Sequence, residues 1–196
     1  GVAASDEKTK AYLKADGRLK KYRKIESDKD AVYEQVIEID AAKLSPLIAF
    51  PHTVDNVKPV SEAKGIKVNQ VFIGTCTNGR LDDLKIAAKI LKGKKRHANT
   101  RLIITPASKD VFLQADKAGY IRTFIEAGAA VTSAGCGPCV GVHSGILGDN
   151  EVCLSTQNRN FKGRMGNPEG RIFLCSPATA AASAIAGEIV DPRRYL

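Results

Sequence analysis

The chain has 196 residues, 43% of them hydrophobic and 26% charged, with a formal net charge of +9 and five cysteines. That length supports one sizeable core with some further structure, and no apolar run reaches the roughly 18 residues that a membrane span needs. Five cysteines with no even framework argue against a secreted disulfide scaffold and suit a reducing cytoplasm, while the positive charge leaves nucleic acid, an acidic partner or an anionic substrate open.

The first residues, Gly1–Lys8, do not form a signal peptide, and the missing initiator Met points to a fragment or a processed chain. Residues 1–30 are polar, with a short helical pattern over Asp6–Lys14, and read as a linker or the tail of a preceding domain; residues 31–196 read as one α/β domain. Val32–Ile39 alternates apolar and polar side chains, which predicts a half-buried strand, and Phe50–Asn56 is a turn-rich link. Val71–Gly74 is a short apolar strand running into Thr75–Asn78, a helix start in which Thr77 or Asn78 can cap free amides. Leu84, Ala87, Ala88 and Leu91 fall on one helical stripe.

Leu102–Thr105 is the next strand. Val111–Ala127 reads as one helix with Val111, Ala115, Ala118, Ile121 and Ile125 near one side, and Gly128 ends it. Ala130–Ser133, Glu151–Ser155 and Ile172–Cys175 complete the strands, and Ala178–Gly187 is a helix of small residues. The basic clusters Lys20–Lys24 and Lys92–Arg96 read as solvated surface, the second beyond a helix C-terminus where cations are favoured. Strand–helix repetition of this kind predicts a three-layer α/β/α fold, with a mostly parallel sheet covered by helices on both faces.

Ligands of such sheets sit beyond the carboxyl ends of the strands. Cys76 follows the Val71–Gly74 strand, Cys136 and Cys139 follow Ala130–Ser133, and Gln157–Arg159 follows Glu151–Ser155. Three distant segments therefore deliver their chemistry to one edge. A structural metal site closes its shell with four protein ligands, whereas a reactive one leaves a position open. Three thiolates thus read as ligands of a [4Fe-4S] cluster with one iron free for substrate. The helix start beside Cys76 favours thiolate and an anionic cluster, and Gly135 and Gly137 permit close backbone approach.

Two other uses of the Cys-Gly-Pro-Cys run remain. Zinc would add His143 as a fourth ligand to Cys76, Cys136 and Cys139, making a zinc-stabilised basic binding module, and a redox dithiol shares the same spacing. Neither a nucleic-acid motif nor an aromatic-rich basic strip accompanies them. Cys153 and Cys175 lie inside apolar strands and read as core residues; His52 and His97 belong to no constellation and read as structural or exposed. Asn158, Arg159 and Arg164 form a second group, in which planar guanidinium groups can grip carboxylates bidentately.

The ordered set Pro51–Asn56, Ile73–Arg80, Ala134–Cys139, Asn158–Phe161 with Arg164, and Ser176–Ala180 resembles the aconitase superfamily. Within it the chain is most similar to the C-terminal part of the large subunits of two-subunit isopropylmalate isomerases and homoaconitases. The resemblance implies an aconitase-type cluster domain with Cys76, Cys136 and Cys139 holding the [4Fe-4S] cluster, and Asn158, Arg159 and Arg164 near cluster and substrate. It implies a hydro-lyase that dehydrates and rehydrates a 2-hydroxy di- or tricarboxylate. The catalytic base and further substrate groups would come from a separate small subunit, so no catalytic residue is placed in this chain, which by itself is expected to be inactive. With the cysteine content, the lack of a long apolar run and the lack of a nucleic-acid motif, the expectation is a cytoplasmic enzyme with no nucleic-acid or membrane partner.

Overall fold

The computed structural model describes residues 3–142 and 144–196. It divides into two compact units, one ending at Lys43 and one spanning Leu44–Leu196. The first contains helix α1 (Glu7–Ala15), capped by Asp6, whose side chain accepts from the Thr9 amide at 2.8 Å. The strand expected over Val32–Ile39 is not formed: this segment pairs with no strand among the described residues, and Val32, Val36, Ile37 and Ile39 are all exposed. Alternation supplies one apolar face, but a strand also needs a partner for its backbone groups.

The second unit is built on a seven-stranded sheet. Its strands are β1 (Leu47–Ala49), β2 (Val57–Pro59), β3 (Gln70–Gly74), β4 (Arg101–Thr105), β5 (Ala130–Val131), β6 (Val152–Ser155) and β7 (Arg171–Cys175). They lie in the order β2-β1-β7-β6-β3-β4-β5. The five strands β3 to β7 pair in parallel, and β1 runs antiparallel to both β7 and β2. The antiparallel strands β1 and β2 have three residues each and no alternation, so they leave little trace in the sequence. From β3 the chain steps outward through β4 to β5, then restarts at β6 on the other flank of β3. The crevice between the carboxyl ends of β3 and β6 is therefore the topological switch point, where open α/β sheets bind ligands.

The helices of this unit are the one-turn α2 (Thr75–Asn78), α3 (Leu81–Leu91), α4 (Lys109–Lys117), α5 (Tyr120–Glu126) and α6 (Pro177–Ala186). The stripe of Leu84, Ala87, Ala88 and Leu91 is buried as its spacing predicts. The single helix expected over Val111–Ala127 is two helices. Gly119 adopts φ +77° between them, a left-handed conformation that ends α4 at little steric cost. Ala118 and Ile125 are consequently exposed, while Ala115 and Ile121 are buried. Ser176 caps α6 by accepting from the Thr179 amide, and Gly187 closes it with φ +75°.

Strand side chains alternate between two cores. Val71, Ile73, Leu102, Ile104, Val152, Leu154 and Phe173 face the cluster to which α3, α4, α5 and α6 contribute. Phe72, Ile103, Cys153 and Ile172 face a smaller cluster closed by Cys139, Leu147 and Met165. Full burial of a side chain such as Phe72 contributes about 1.5–3 kcal/mol. The α/β class and the mostly parallel sheet are as expected, but helices cover only one face among the described residues. The second face is covered by the β5–β6 and β6–β7 connections, which hold only the 3₁₀ turn Gly137–Val140. Frequent glycines in these stretches, including Gly141, Gly145, Gly163 and Gly166 with positive φ, disfavour helix there. No helix among the described residues is long and apolar enough to cross a membrane.

Candidate active site

The turn that presents Cys76 is fixed by close backbone approach. A Cβ on Gly74 would lie 2.4 Å from the Thr105 carbonyl oxygen, and one on Gly79 would lie 2.7 Å from the same atom, so only glycine lets this turn sit on the end of β4. The Gly74 amide donates to Thr156 Oγ1 at 2.9 Å, and Asn78 Nδ2 donates to the Thr156 carbonyl at 2.6 Å. These bonds tie the Cys76 turn to the end of β6 across the switch point. Thr75, a β-branched residue, is held at φ +84°. Such a conformation costs on the order of 1–3 kcal/mol and persists where the surroundings over-determine it. The capping expected of Thr77 or Asn78 falls to Thr75, whose Oγ1 accepts from the amides of both at 3.3 and 3.4 Å. Cys76 itself is exposed.

Cys136 immediately precedes the 3₁₀ turn beyond β5, and Cys139 lies within it. Gly137 has φ +50°, and a Cβ there would lie 2.9 Å from Thr105 Oγ1. Thr105 is fully buried and shares a 2.7 Å hydrogen bond with Thr132 Oγ1. Its backbone thus supports the Cys76 turn while its side chain supports the Cys136–Cys139 turn. Cys136 is exposed and Cys139 is buried, and both are free thiols. Arg164 Nη2 donates to Cys139 Sγ at 3.3 Å. The guanidinium also lies 5.5 Å from the Phe161 ring centroid, and its buried Nε has no partner.

Beyond β6, Asn158 and Arg159 are exposed into a pocket of about 310 Å³ that they share with His52, Thr53, Val54, Asn160 and Phe161. Asn160 builds the wall by donating through Nδ2 to the carbonyls of Phe50, at 2.8 Å, and Thr53, at 3.3 Å. Gln157 braces the same loop by donating to the Arg159 carbonyl at 2.7 Å. The buried oxygens Gln157 Oε1 and Asn160 Oδ1 lack partners. Asn158 and Arg159 are therefore together in one pocket; Arg164 does not line it but lies over the Phe161 ring that does, and reaches Cys139. His52, read from sequence as structural or exposed, lines that pocket. The signal that could have found it is its place in the Pro51–Asn56 stretch rather than any pairing with another charged residue.

The three thiols reach the same edge of the sheet, yet no group of three or more His, Cys, Asp or Glu side chains among the described residues is gathered as a metal site. His143, the fourth ligand of the zinc alternative, lies outside the described residues. Cys153 and Cys175 carry no such role: burial pushes the Cys153 thiol up to about 12 and raises that of Cys175 well above its ordinary value. Both stay protonated, and the thiolate is the ligand form. In the basic cluster near α3, Lys92, Lys94 and Lys95 are exposed as expected. Arg96 is half-buried and donates to the carbonyls of Gly128, His97, Ala98 and Thr100.

A mostly parallel sheet whose switch point carries a cysteine, with two more cysteines and an arginine pocket along the same edge, agrees with what comparison of the chain reveals. Residues 1–65 and 56–187 match the Aconitase family (aconitate hydratase), and the chain belongs to that family. It is 62% identical over 196 residues to the 3-isopropylmalate dehydratase large subunit of Elusimicrobium minutum, covering 100% of this chain and 47% of that protein. It is 59% identical over 198 residues to 3-isopropylmalate dehydratase large subunit 1 of Thermotoga maritima, with the same two coverages of 100% and 47%. The probable methanogen homoaconitase large subunit of Methanosarcina mazei is 54% identical over 194 residues, or 99% of this chain and 49% of that one. The chain thus spans about half the length of the curated relatives it matches.

Proposed function

We propose that this chain is the cluster-bearing part of a hydro-lyase large subunit, with Cys76, Cys136 and Cys139 as the ligands of a [4Fe-4S] cluster and one iron left without a protein ligand. The observation that supports this most is the packing of both cysteine turns on Thr105, at the end of β4 beside the switch point. Three unpaired thiols suit iron–sulfur chemistry rather than a hard cation. Arg164, donating to Cys139 Sγ with its Nε still unpartnered, supplies positive charge beside an anionic group. Since the thiols are not gathered as a site, binding would draw Cys76 and the Cys136–Cys139 turn together.

When bound, the cluster supplies a Lewis acid for a departing hydroxyl. This chain's own residues bind and orient. Asn158 and Arg159 take the carboxylates of a 2-hydroxy di- or tricarboxylate of the isopropylmalate, citramalate or homocitrate class, and Arg164 adds charge at the cysteine end. The base that removes a proton from the adjacent carbon comes from a small-subunit partner. In this reading residues 1–30 are the tail of a preceding domain and 31–196 the cluster domain of a cytoplasmic enzyme serving leucine or a related biosynthesis.

The test is turnover. The chain would be combined without oxygen with iron, sulfide, a small subunit and the remaining large-subunit part, and formation of the unsaturated acid followed by ultraviolet absorbance. Turnover is expected only from the complete mixture. A complete, iron-loaded mixture inactive on all three substrate types, or activity from the chain alone, would overturn the reading.

A further inference from the structure

The opposite ends of the strands carry a polar network that the proposed chemistry does not use. Gln70, the first residue of β3, is fully buried, yet both ends of its amide are bonded. Nε2 donates to the Gly145 carbonyl at 2.8 Å, and Oε1 accepts from Arg101 Nε at 3.0 Å. Arg101 donates through both terminal nitrogens to the Glu151 carboxylate, and the same carboxylate accepts from the Gly148 amide at 2.8 Å. Gly145 and Gly148 belong to the connection that carries Cys136 and Cys139.

Gly145 leads directly to the cysteines. It has φ +91°, and a Cβ there would lie 2.8 Å from Ile103 Cδ1 and 3.0 Å from Pro138 Cβ. Its backbone therefore rests on the proline ring between Cys136 and Cys139. A buried amide is costly unless bonded, and an apolar side chain could fill this position without that cost. The Gln70 amide does what an apolar side chain cannot: it fixes the height of Gly145 above the sheet.

We propose that Gln70, oriented by the Arg101–Glu151 pair, is a positioning residue for the Cys136–Cys139 turn. The role of that turn rests on the function proposed above, but the positioning itself can be measured without metal. Cys139 is 7% exposed, so its alkylation waits for the turn to open. In the reduced, metal-free chain, iodoacetamide labelling of each cysteine would be read by peptide mass spectrometry. Gln70→Met should speed labelling of Cys139 about tenfold, in keeping with the loss of a buried hydrogen bond, and leave Cys76 unchanged. Ile121→Val, which loosens the helix face instead, serves as the comparison: it should lower melting but leave Cys139 labelling at the original rate. A Cys139 rate in Gln70→Met no higher than in Ile121→Val, or a parallel rise at Cys76, overturns the proposal. Failure to bind a cluster would not alter this outcome, which separates the two claims.

Discussion

Gly141→Ala tests whether the two loop connections on the second face are locked together. Gly141 directly follows the 3₁₀ turn of Cys139 and has φ +71°; a Cβ there would lie 2.2 Å from the Gly166 amide nitrogen and 2.7 Å from Gly166 Cα. Carbon contacts are favourable only at about 3.5–4.0 Å, so one backbone must move by roughly 1 Å. Overpacking costs about 1–3 kcal/mol, and a Cβ in the left-handed region adds about 1–2 kcal/mol. A combined loss of about 3 kcal/mol corresponds to a fall in melting temperature of about 6–12 °C for a unit of this size. Moving Gly166 also displaces Arg164, so the contact to Cys139 Sγ should break. Differential scanning calorimetry reads the first effect and alkylation of Cys139 the second. Gly141→Asn, which tolerates positive φ, should lose nearly as much because the contact dominates. A shift below about 2 °C for both variants would refute the close approach of these segments.

Other expectations concern single groups. Hydrogen bonding from Arg101 holds the Glu151 carboxyl below its ordinary value. The stability this gives is present above the unfolded carboxyl value of about 4.3 and is lost as pH falls through the lower folded value. The pair is partly exposed, so Glu151→Gln should cost at most about 1 kcal/mol at pH 7 in urea titrations, and this difference should vanish in strong acid; an unchanged difference there would contradict the assignment. Cys153, raised to about 12, should resist alkylation at pH 8 until the chain is unfolded, and rapid labelling of the native chain would show that its strand is not buried as described. Arg159→Ala should raise the substrate KM of the assembled enzyme about tenfold or more, the range for a hydrogen bond to a charged group, while leaving the melting temperature of the chain unchanged. An unaltered KM with a lowered melting temperature would make the arginine structural.

Much of this architecture was legible because burial imposes a period. Val71–Ile73, Leu102–Ile104 and Val152–Leu154 read as strands since both of their faces are covered, and α3 announced itself through its stripe. Val32–Ile39 misled because alternation says nothing about a pairing partner. Lys117-Ala118-Gly119 did carry a helix-stop signal, a cation followed by glycine, which the apolar pattern on either side outweighed. Placing Cys76, Cys136, Cys139 and Asn158–Arg159 beyond strand ends followed from chain order alone. The supports of the site were not legible. Thr105 acts by touching the backbones of Gly74, Gly79 and Gly137, and Gln70 acts through a carbonyl 75 residues away. His52 reaches the pocket only because β1 and β2, too short to notice, place the Pro51–Asn56 turn beside residues 158–161.

Iron and acid-labile sulfide analysis after anaerobic reconstitution addresses the central claim most directly, with the original chain compared against Cys76→Ser and Cys153→Ser. About four irons and four sulfides per chain, with broad visible absorbance, are predicted for the original and for Cys153→Ser, and a large loss for Cys76→Ser. Zinc in place of iron, or equal loading in Cys76→Ser, would contradict the three-thiolate site.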